Sequence, residues 1–529
     1  MEHISRRTVK SDIWYIRGAI STLLLPFIAV LIFYAVSGIP DLARSGDGAL
    51  LEISTRNTAS LRTLTGPYSR YEFHHPGPAY FFAQIPLYYL SGRSASAAYL
   101  TVSFICILSI VGIILILLRH APRMMLLIFC LLAALLLRYL KPVIWLNDWN
   151  PFIIIFPALL TFVSFAAVAA GFHKYLVISV VAGSFSVQTH IGCFPSIAAA
   201  AVFAGAFMVF RGKSKEGSIQ PGNGSIKKSL LVAAGAAIIL WIPVLLNEII
   251  SGSAGNLHRI FQFFSEMPPE LSLRRTLFVW IDAVSGMDGI FLNGEHLRRM
   301  GILFQVKAVI VFIRIVLLFV SCYLLRKKKG SGFLLVTGEM ALLIHLTTFI
   351  SVMQIRGEPY SYLLIWFASV GLLSWMVIIT SMVSLFNFYR HGMVRQWTIR
   401  IGTGLVVTLS ILNTVSIWNA PMENPLDPLS YNDEHVKVLS DSLSCYLSTQ
   451  DPRSWVIVPV EHDLWPLMTG IVNLLDKDGW DVFVAADYAF MTGVQPNIEA
   501  VPIYLVSDSC GISHEGEVLF SCGNIQVRR

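Results

Sequence analysis

The sequence predicts a polytopic α-helical membrane protein that ends in a small soluble α/β domain. Of its 529 residues, 55% are hydrophobic and only 13% are charged, which is far more apolar than a soluble protein of this size requires. Uncharged runs long enough to cross about 30 Å of hydrocarbon recur up to about residue 420. Beyond that point, short apolar runs alternate with one helical stretch, as in an α/β layer.

About eleven apolar runs are predicted to span the membrane, on the basis of length and hydropathy. They cover residues 17 to 36, 97 to 118, 123 to 140, 152 to 171, 174 to 189, 193 to 211, 229 to 247, 302 to 325, 333 to 352, 361 to 386 and 399 to 418. The first run contains Pro26 and is not followed by a small-x-small cleavage site. It is therefore predicted to remain as a helix instead of being removed as a signal peptide.

The basic residues predict the orientation of these spans. The net charge of +7 could suggest nucleic-acid binding, but Lys and Arg lie in every second short loop, as the positive-inside rule describes. No nucleic acid is therefore expected as a partner. The alternation predicts that the N-terminus lies inside. Because the number of spans is odd, the C-terminal domain is expected on the outer side.

The first exported loop, residues 37 to 96, carries two acids on a segment with near-helical apolar spacing, which predicts an interfacial helix. Asp47 has two interpretations that stay open here, as the cap of this helix or as a reactive acid. Glu52 is spaced to pair with Arg56 four residues on. Five residues of helix separate the two acids by about 140°, so both cannot easily face one substrate.

The end of the same loop, GPYSRYEFHHPGPAYFF (residues 66 to 82), crowds titratable groups against an apolar segment. Arg70, His74 and His75 precede a Pro-Gly-Pro turn, and the apolar segment after it is too short to span. Non-helical backbone at membrane depth needs protein or water around it, so a cavity is expected beside the histidines. A structural turn held by hydrogen bonds explains the same residues equally well.

Polar groups recur in the other exported loops. Asn147 and Asp148 stand in NDWNP after the third span, where Asp148 could instead cap the next helix. His190 ends the fifth span, and Arg356 and Glu358 lie between the ninth and tenth spans. Since the cytoplasmic loops carry mainly solvated Lys and Arg, these groups predict an outward-facing chamber lined by acids, His and Arg.

Residues 425 to 529 are predicted as a separate exported domain that follows a membrane domain of residues 1 to 424. Strands are predicted at 454 to 460, 480 to 487, 501 to 508 and 517 to 527. A helix is predicted at 463 to 479, where a Gly ends it.

This layout resembles the GT-C superfamily of membrane glycosyltransferases, in a poorly characterised bacterial branch. The likeness rests on GDGALLEI, GPYSRYEFHHPGPAYFF, DWNP, NEIISGSAGNL and, near the C-terminus, LWPLMTGIVNLLDKDGWDVFVAADYAFMTG, and it extends over nearly the whole chain. It implies an inverting transfer of a sugar from a polyprenyl-phosphate carrier in the membrane to a cell-envelope glycan, lipid or protein acceptor. It also implies a bacterial cytoplasmic (inner) membrane protein, with the C-terminal domain on the periplasmic or extracellular side.

The resemblance also implies residue roles. Asp47 matches the acid that serves as general base on the acceptor hydroxyl, and Asp148 takes the place of a second important acid. Arg70 and Arg356 are the candidates for binding the departing lipid phosphate, and His74 or His75 could orient acceptor or phosphate. The full set of expected substrate-binding residues is Glu52, Arg70, His74, His75, Asn147, His190, Arg356 and Glu358. No Asp-x-Asp pair stands in either loop, so no metal is assigned, although a divalent ion stays open because metal dependence varies across the superfamily.

Two other functions stay open as alternatives. A transporter or flippase of a lipid-linked saccharide would favour an inverted repeat and polar groups on both faces, whereas the polar groups here concentrate on one face. An envelope scaffold would bind partners through the C-terminal domain. Such a scaffold should lose all function when residues 425 to 529 are deleted, while an enzyme should keep some chemistry.

Overall fold

The computed structural model describes residues 14–213, 223–291, 302–328, 330–385, 392–419, 434–451, 453–507 and 516–529. Within these ranges, nine helices are long and apolar enough to cross a membrane, and a bent pair makes a tenth. The pair, α1 (Trp14–Leu23) and α2 (Leu25–Ser37), bends by 50°. Pro26 opens the second helix, and its missing N–H and its ring account for the break. The predicted polytopic helical architecture is confirmed.

The remaining helices before the C-terminal domain follow in chain order. They are α3 (Gly46–Ala59), α4 (Ala79–Leu90), α5 (Ala97–His120), α6 (Arg123–Leu140), α7 (Pro142–Trp145), α8 (Asn150–Ile153), α9 (Ile155–Ala169), α10 (Leu176–Thr189), α11 (Phe194–Lys213), α12 (Asn223–Ser251), α13 (Asn256–Glu266), α14 (Leu273–Val284), α15 (Leu303–Arg326), α16 (Gly332–Met353), α17 (Ala368–Leu385) and α18 (Gly392–Asn419).

Helix α10 differs from the predicted span at 174 to 189. It has 14 residues, fewer than a membrane crossing normally needs, which is why it is not among the nine long helices. It nevertheless joins the two ends of the bundle. Near its start the Tyr175 hydroxyl lies 2.9 Å from Nε2 of His120, and near its end Gln188 Oε1 accepts a hydrogen bond from the Ala79 amide at 3.3 Å.

The long loop between α2 and α5 carries the predicted interfacial elements. Helix α3 forms where the apolar spacing predicts it, and most of its side chains are buried. Helix α4 is the short apolar segment after the Pro-Gly-Pro turn, and it buries Tyr80, Phe81, Gln84 and Tyr88. Both helices lie at the same end of the bundle, and α3 packs against α4 on one side and the C-terminal domain on the other.

The C-terminal domain contains a five-stranded sheet in the order β2-β1-β3-β5-β4. Its elements are α19 (Glu434–Leu447), β1 (Trp455–Pro459), α20 (Trp465–Lys477), β2 (Val482–Val484), α21 (Ala489–Thr492), β3 (Val501–Ser507), β4 (Val518–Cys522) and β5 (Ile525–Arg528). Strands β2, β1 and β3 are parallel, whereas β5 and β4 are antiparallel. The predicted boundary at 424/425 lies outside the described residues.

One predicted strand is wrong as a single element. Residues 517 to 527 form two strands, β4 and β5, which pair with each other. The chain reverses at Gly523, whose φ is +60°, a conformation that glycine adopts without steric cost. Gly523 and Asn524 interrupt the apolar residues here and form a recognised turn signal, which the prediction of a single strand overlooked.

The buried apolar side chains form two clusters. The larger lies among the long helices and holds them together. The second belongs to the sheet and to α19 and α20, and it also includes Ala43 and Ile53 from the loop between α2 and α5. The hydrophobic core of the C-terminal domain therefore continues into the segment that carries α3.

Candidate functional site

Asp47 lies in the first turn of α3, two residues after the N-cap residue Ser45. Its side chain stays partly exposed, and Oδ1 accepts a hydrogen bond from the Tyr68 hydroxyl. Burial raises the pKa of the Asp47 carboxyl above its ordinary value, and the hydrogen bond from Tyr68 opposes that rise. A partly exposed carboxylate with a raised pKa holds a proton more tightly than a free aspartate does, so it is the stronger base.

The segment that supplies Tyr68 is a tight hairpin at residues 66–75. Tyr68 and His74 form an antiparallel bridge, and the amides of Ser69 and His75 donate to the carbonyls of Phe73 and Pro67, each at 2.8 Å. At the base of the hairpin, a Cβ on Gly66 would lie 2.6 Å from the Gln188 carbonyl oxygen. Only glycine fits there, so the hairpin is pressed against the end of α10.

His74 and His75 are both buried in this hairpin. Burial lowers the pKa of His74 to about 4, and the charge of Arg259 adds to this effect against a hydrogen bond with the Met491 backbone. Burial, together with His190 and His74, holds the pKa of His75 well below its usual range. His75 Nδ1 accepts from the Ile191 amide at 3.1 Å. Both histidines are therefore neutral at physiological pH.

His190 lies against His75, with 5.0 Å between the ring centroids. It is 3% exposed, and neither of its ring nitrogens has a hydrogen-bond partner among the described residues. The structure thus brings three of the predicted histidines together at the junction of the hairpin and α10.

Glu52 lies one and a half turns along α3 from Asp47 and faces the C-terminal domain. It is 3% exposed. Its Oε1 accepts from the Tyr88 hydroxyl at 2.9 Å, and its Oε2 accepts from Nδ2 of Asn473 at 2.8 Å. Lys477 Nζ lies 3.2 Å from Oε1, and the predicted partner Arg56 lies 3.5 Å away. Glu52 is therefore held by partners on two other helices, α4 and α20.

Further polar contacts extend this interface, which we call the α3–α20 interface and define by Asp41, Glu52, Arg56, Asn473, Asp476 and Lys477. The Nε of Arg56 donates to Oδ2 of Asp476 at 2.7 Å. Lys477 Nζ donates to both carboxylate oxygens of Asp41, at 2.6 and 2.7 Å. Opposite charges thus face each other across a joint between residues more than 400 positions apart in the sequence.

Asp148 is fully buried and forms a bidentate ion pair with Arg44. The guanidinium donates to Oδ2 at 2.8 Å and to Oδ1 at 2.7 Å. The Tyr80 hydroxyl donates to the Asp148 carbonyl at 2.8 Å, and Asn147 Oδ1 accepts from the Trp149 amide at 2.8 Å. Asp148 therefore ties the loop after α6 to the segment just before α3, three residues from Asp47.

The arginines expected to bind phosphate are engaged with backbone carbonyls. Arg70 is exposed and donates to the carbonyl of Glu358 at 2.7 Å, while its guanidinium stacks over Tyr71 and Tyr360. Arg356 donates to the carbonyls of Met267 at 2.7 Å and Gln354 at 2.9 Å. The Glu358 carboxylate pairs with Arg275 at 2.9 Å on the surface.

No cluster of three or more His, Cys, Asp or Glu side chains that could hold a metal ion occurs in the part of the chain that the structure describes. This finding concerns the described residues alone, and the predicted site names no metal ligand.

Several residues of the site were not predicted. Tyr68 stands in the stretch singled out in the sequence, but its partner Asp47 is 21 residues away. Arg44 precedes Asp47 by three residues, which could have signalled a role beside it. The α20 residues Asn473 and Lys477 carry no signal, because nothing in a single sequence pairs them with a helix more than 400 residues earlier.

No family model matches the chain, and no curated protein matches it. Among solved structures, the chain is similar to ArnT from Cupriavidus metallidurans in its apo state, with a TM-score of 0.51 and 13% identity. That match covers 95% of this chain and 96% of ArnT. A second similarity, to the apo oligosaccharyltransferase of Archaeoglobus fulgidus, has a TM-score of 0.42 and 13% identity and covers 87% of this chain and 64% of that one.

These identities establish similarity of fold and nothing finer. The ArnT match extends over nearly the whole of both chains. It therefore includes the helices of the bundle, the loop with α3 and α4, and the C-terminal domain. The resemblance expected from the sequence is confirmed at the level of fold, because the chain shares the fold of ArnT over nearly its whole length.

Proposed function

We propose that the protein is a membrane glycosyltransferase that moves a sugar from a polyprenyl-phosphate carrier to a cell-envelope acceptor on the outer face of a bacterial inner membrane. The observation that carries this proposal is Asp47 on a GT-C fold. It is a partly exposed carboxylate with a raised pKa, oriented by Tyr68 and placed at the start of α3.

In the proposed reaction, Asp47 takes the proton of the acceptor hydroxyl as that oxygen attacks the anomeric carbon of the sugar. The bond between the anomeric carbon and the carrier phosphate breaks on the opposite face, so the configuration inverts. The electron pair leaves with the phosphate, and the products are the glycosylated acceptor and the polyprenyl phosphate. The chain supplies proton removal and positioning, with Asp47 as the base.

In this proposal, Asp148 and Glu52 hold Asp47 in place and take no part in the proton transfer. Asp148 holds Arg44, three residues before Asp47, with both side chains at most 2% exposed. Glu52 anchors the next turns of α3 to α20. Since α3 is fixed at both ends, the Asp47 carboxylate keeps one orientation, as a reacting group held in near-attack geometry requires.

The test is a transfer assay with purified full-length protein, a polyprenyl-phosphate-linked sugar and a mixed pool of envelope glycolipids as acceptors. We expect Asp47→Asn to lower the turnover about a hundredfold or more, the range that general-base removal costs. Asp463→Asn is the matched control, because Asp463 is an exposed acid in the C-terminal domain. This control should keep the wild-type rate.

Two outcomes would contradict the proposal. Unchanged turnover in Asp47→Asn would remove Asp47 as the base. Carrier movement across the membrane without release of polyprenyl phosphate by the wild-type protein would favour a flippase. Both readouts come from the same vesicle preparation, in which labelled carrier and labelled sugar are followed together.

A further inference from the structure

A cavity of about 320 Å³ lies beside the hairpin, on the side of α12 and α13. Its walls come from three parts of the chain: residues 61–65 with His74, the junction of α12 and α13, and Gly493 just after α21. A Cβ on Gly493 would lie 3.0 Å from Cγ2 of Thr63, and its φ is +71°. Glycine therefore lets the C-terminal domain close this cavity without filling it.

Two arginines line the cavity, Arg62 and Arg259. Neither guanidinium has a hydrogen-bond or ion-pair partner within the described ranges. Glu248, at the end of α12, is engaged elsewhere, since its carboxylate accepts from the Leu257 amide at 2.5 Å and the His258 amide at 3.3 Å. Among the described residues that line the cavity there are thus two positive charges and no carboxylate.

The cavity also contains an unsatisfied donor. Thr63 is 8% exposed, and its Oγ1 has no hydrogen-bond partner among the described residues. A buried hydroxyl without a partner costs free energy unless a ligand or water satisfies it. Asn256 is by contrast fully used, because its side chain accepts from the His74 amide at 2.8 Å and donates to the His74 carbonyl at 2.9 Å. Asn256 therefore fixes the wall, in which the Thr63 hydroxyl is buried without a described partner.

Exposed apolar side chains also line the cavity, next to a membrane helix. Ile250 and Leu61 belong to this lining and are 75% and 66% exposed. Ile250 belongs to the candidate membrane span Ile226–Ala254. A ligand that enters here can therefore keep a hydrocarbon chain in the bilayer while its polar end reaches the arginines.

We propose that this cavity binds the phosphate group of a membrane lipid, with Arg62 and Arg259 as its charge partners and Thr63 as a hydroxyl donor. Arginine matches phosphate through two parallel N–H bonds and stays charged beside a bilayer. Basic cavities next to membrane helices bind lipid head groups by this chemistry. The assignment concerns binding alone, and it does not require that Asp47 transfer a sugar.

The test uses full-length protein in neutral detergent, titrated with short-chain phosphatidic acid and followed by isothermal titration calorimetry. We expect Arg62→Gln and Arg259→Gln each to weaken binding about tenfold, since each removes charge-assisted hydrogen bonds. Thr63→Val preserves the shape of the side chain and should weaken binding a few-fold. Arg93→Gln is the matched control, because Arg93 is an exposed arginine on the same loop.

Three results would overturn the assignment. Equal loss in Arg93→Gln would mean that binding follows general surface charge. Inorganic phosphate that competes as well as the phosphatidic acid would mean that no lipid is involved. Unchanged affinity in both cavity arginine variants would remove the cavity as the site. Thermal unfolding of each variant separates a binding defect from misfolding, and Thr63→Val retains a test of the cavity if an arginine variant does not fold.

Discussion

Helix α3 carries two carboxylates, those of Asp47 and Glu52, which differ in their exposure and in the number of their hydrogen-bond partners. Asp47 in the first turn is partly exposed, and its one described hydrogen bond comes from Tyr68. Glu52 is 3% exposed and contacts Tyr88, Asn473 and Lys477. The first arrangement leaves an oxygen available to a substrate, whereas the second uses both oxygens for the protein itself.

The difference shows how one segment can both present a reactive group and stay rigid. A carboxylate that must accept a proton cannot be surrounded by donors, because each donor stabilises its charged form and lowers its pKa. The rigidity must then come from elsewhere on the helix. In this protein it comes from the α3–α20 interface behind Asp47 and from the Arg44–Asp148 pair in front of it.

The largest expected effect on stability concerns that pair. Arg44→Met leaves the Asp148 carboxylate buried without its partner, and we expect a loss of about 3–5 kcal/mol in the free energy of unfolding. The combined variant Arg44→Met with Asp148→Leu should recover much of this loss, since an apolar pair can replace a buried ion pair. Denaturant unfolding followed by circular dichroism measures both.

This pair of variants also decides the role of Asp148. If the combined variant is stable and keeps some turnover, Asp148 acts by position, as proposed. Full stability with no turnover at all would instead make Asp148 a participant in the chemistry.

A smaller loss is expected at the α3–α20 interface. Glu52→Gln keeps the shape but removes the charge that Arg56 and Lys477 face, and hydrogen bonds to charged groups contribute about 1.5–3 kcal/mol. Asp41 and Asp476 still balance the two cations, so the loss should be smaller than for Arg44→Met. Thermal unfolding of the two variants under the same conditions gives the order. A larger loss in Glu52→Gln would contradict it.

The smallest effect is expected at Tyr68. Tyr68→Phe removes a donor that stabilises the Asp47 carboxylate, so the pKa of that carboxyl rises further. The base is active when deprotonated, and activity is lost as the pH falls through its pKa. The acid limb of the pH–rate profile should therefore move to higher pH in Tyr68→Phe, with turnover above that limb reduced by less than about tenfold. A shift to lower pH would contradict this account.

The parts of the fold that follow from local pattern were predictable. Ten of the predicted spans correspond to the nine long helices and the bent pair, because bilayer thickness sets the length of an apolar run. The apolar spacing predicted helix α3, and helical geometry predicted that Asp47 and Glu52 point in different directions from it. The hairpin of β4 and β5 was also signalled locally, by Gly523 followed by Asn524, but the predicted strand ran through this turn.

The parts that depend on distant partners were not predictable. Glu52 was expected to pair with Arg56, and it does at 3.5 Å, but its contacts with Asn473 and Lys477 join segments that only the folded chain brings together. The same contacts change what a deletion of the C-terminal domain would mean. Without α20, the core loses the partners of Ala43 and Ile53, so an enzyme as well as a scaffold should fail.

The proposed roles on α3, Asp47 as the base and Glu52 as the anchor, are tested most directly by measuring turnover and unfolding temperature together in Asp47→Asn and Glu52→Gln. We expect Asp47→Asn to lose about a hundredfold or more in turnover with an unfolding temperature close to that of the wild type. Glu52→Gln should unfold at a clearly lower temperature and, at a temperature where it is folded, keep most of its turnover. The opposite pattern, or equal turnover in Asp47→Asn and the wild type, would contradict the account.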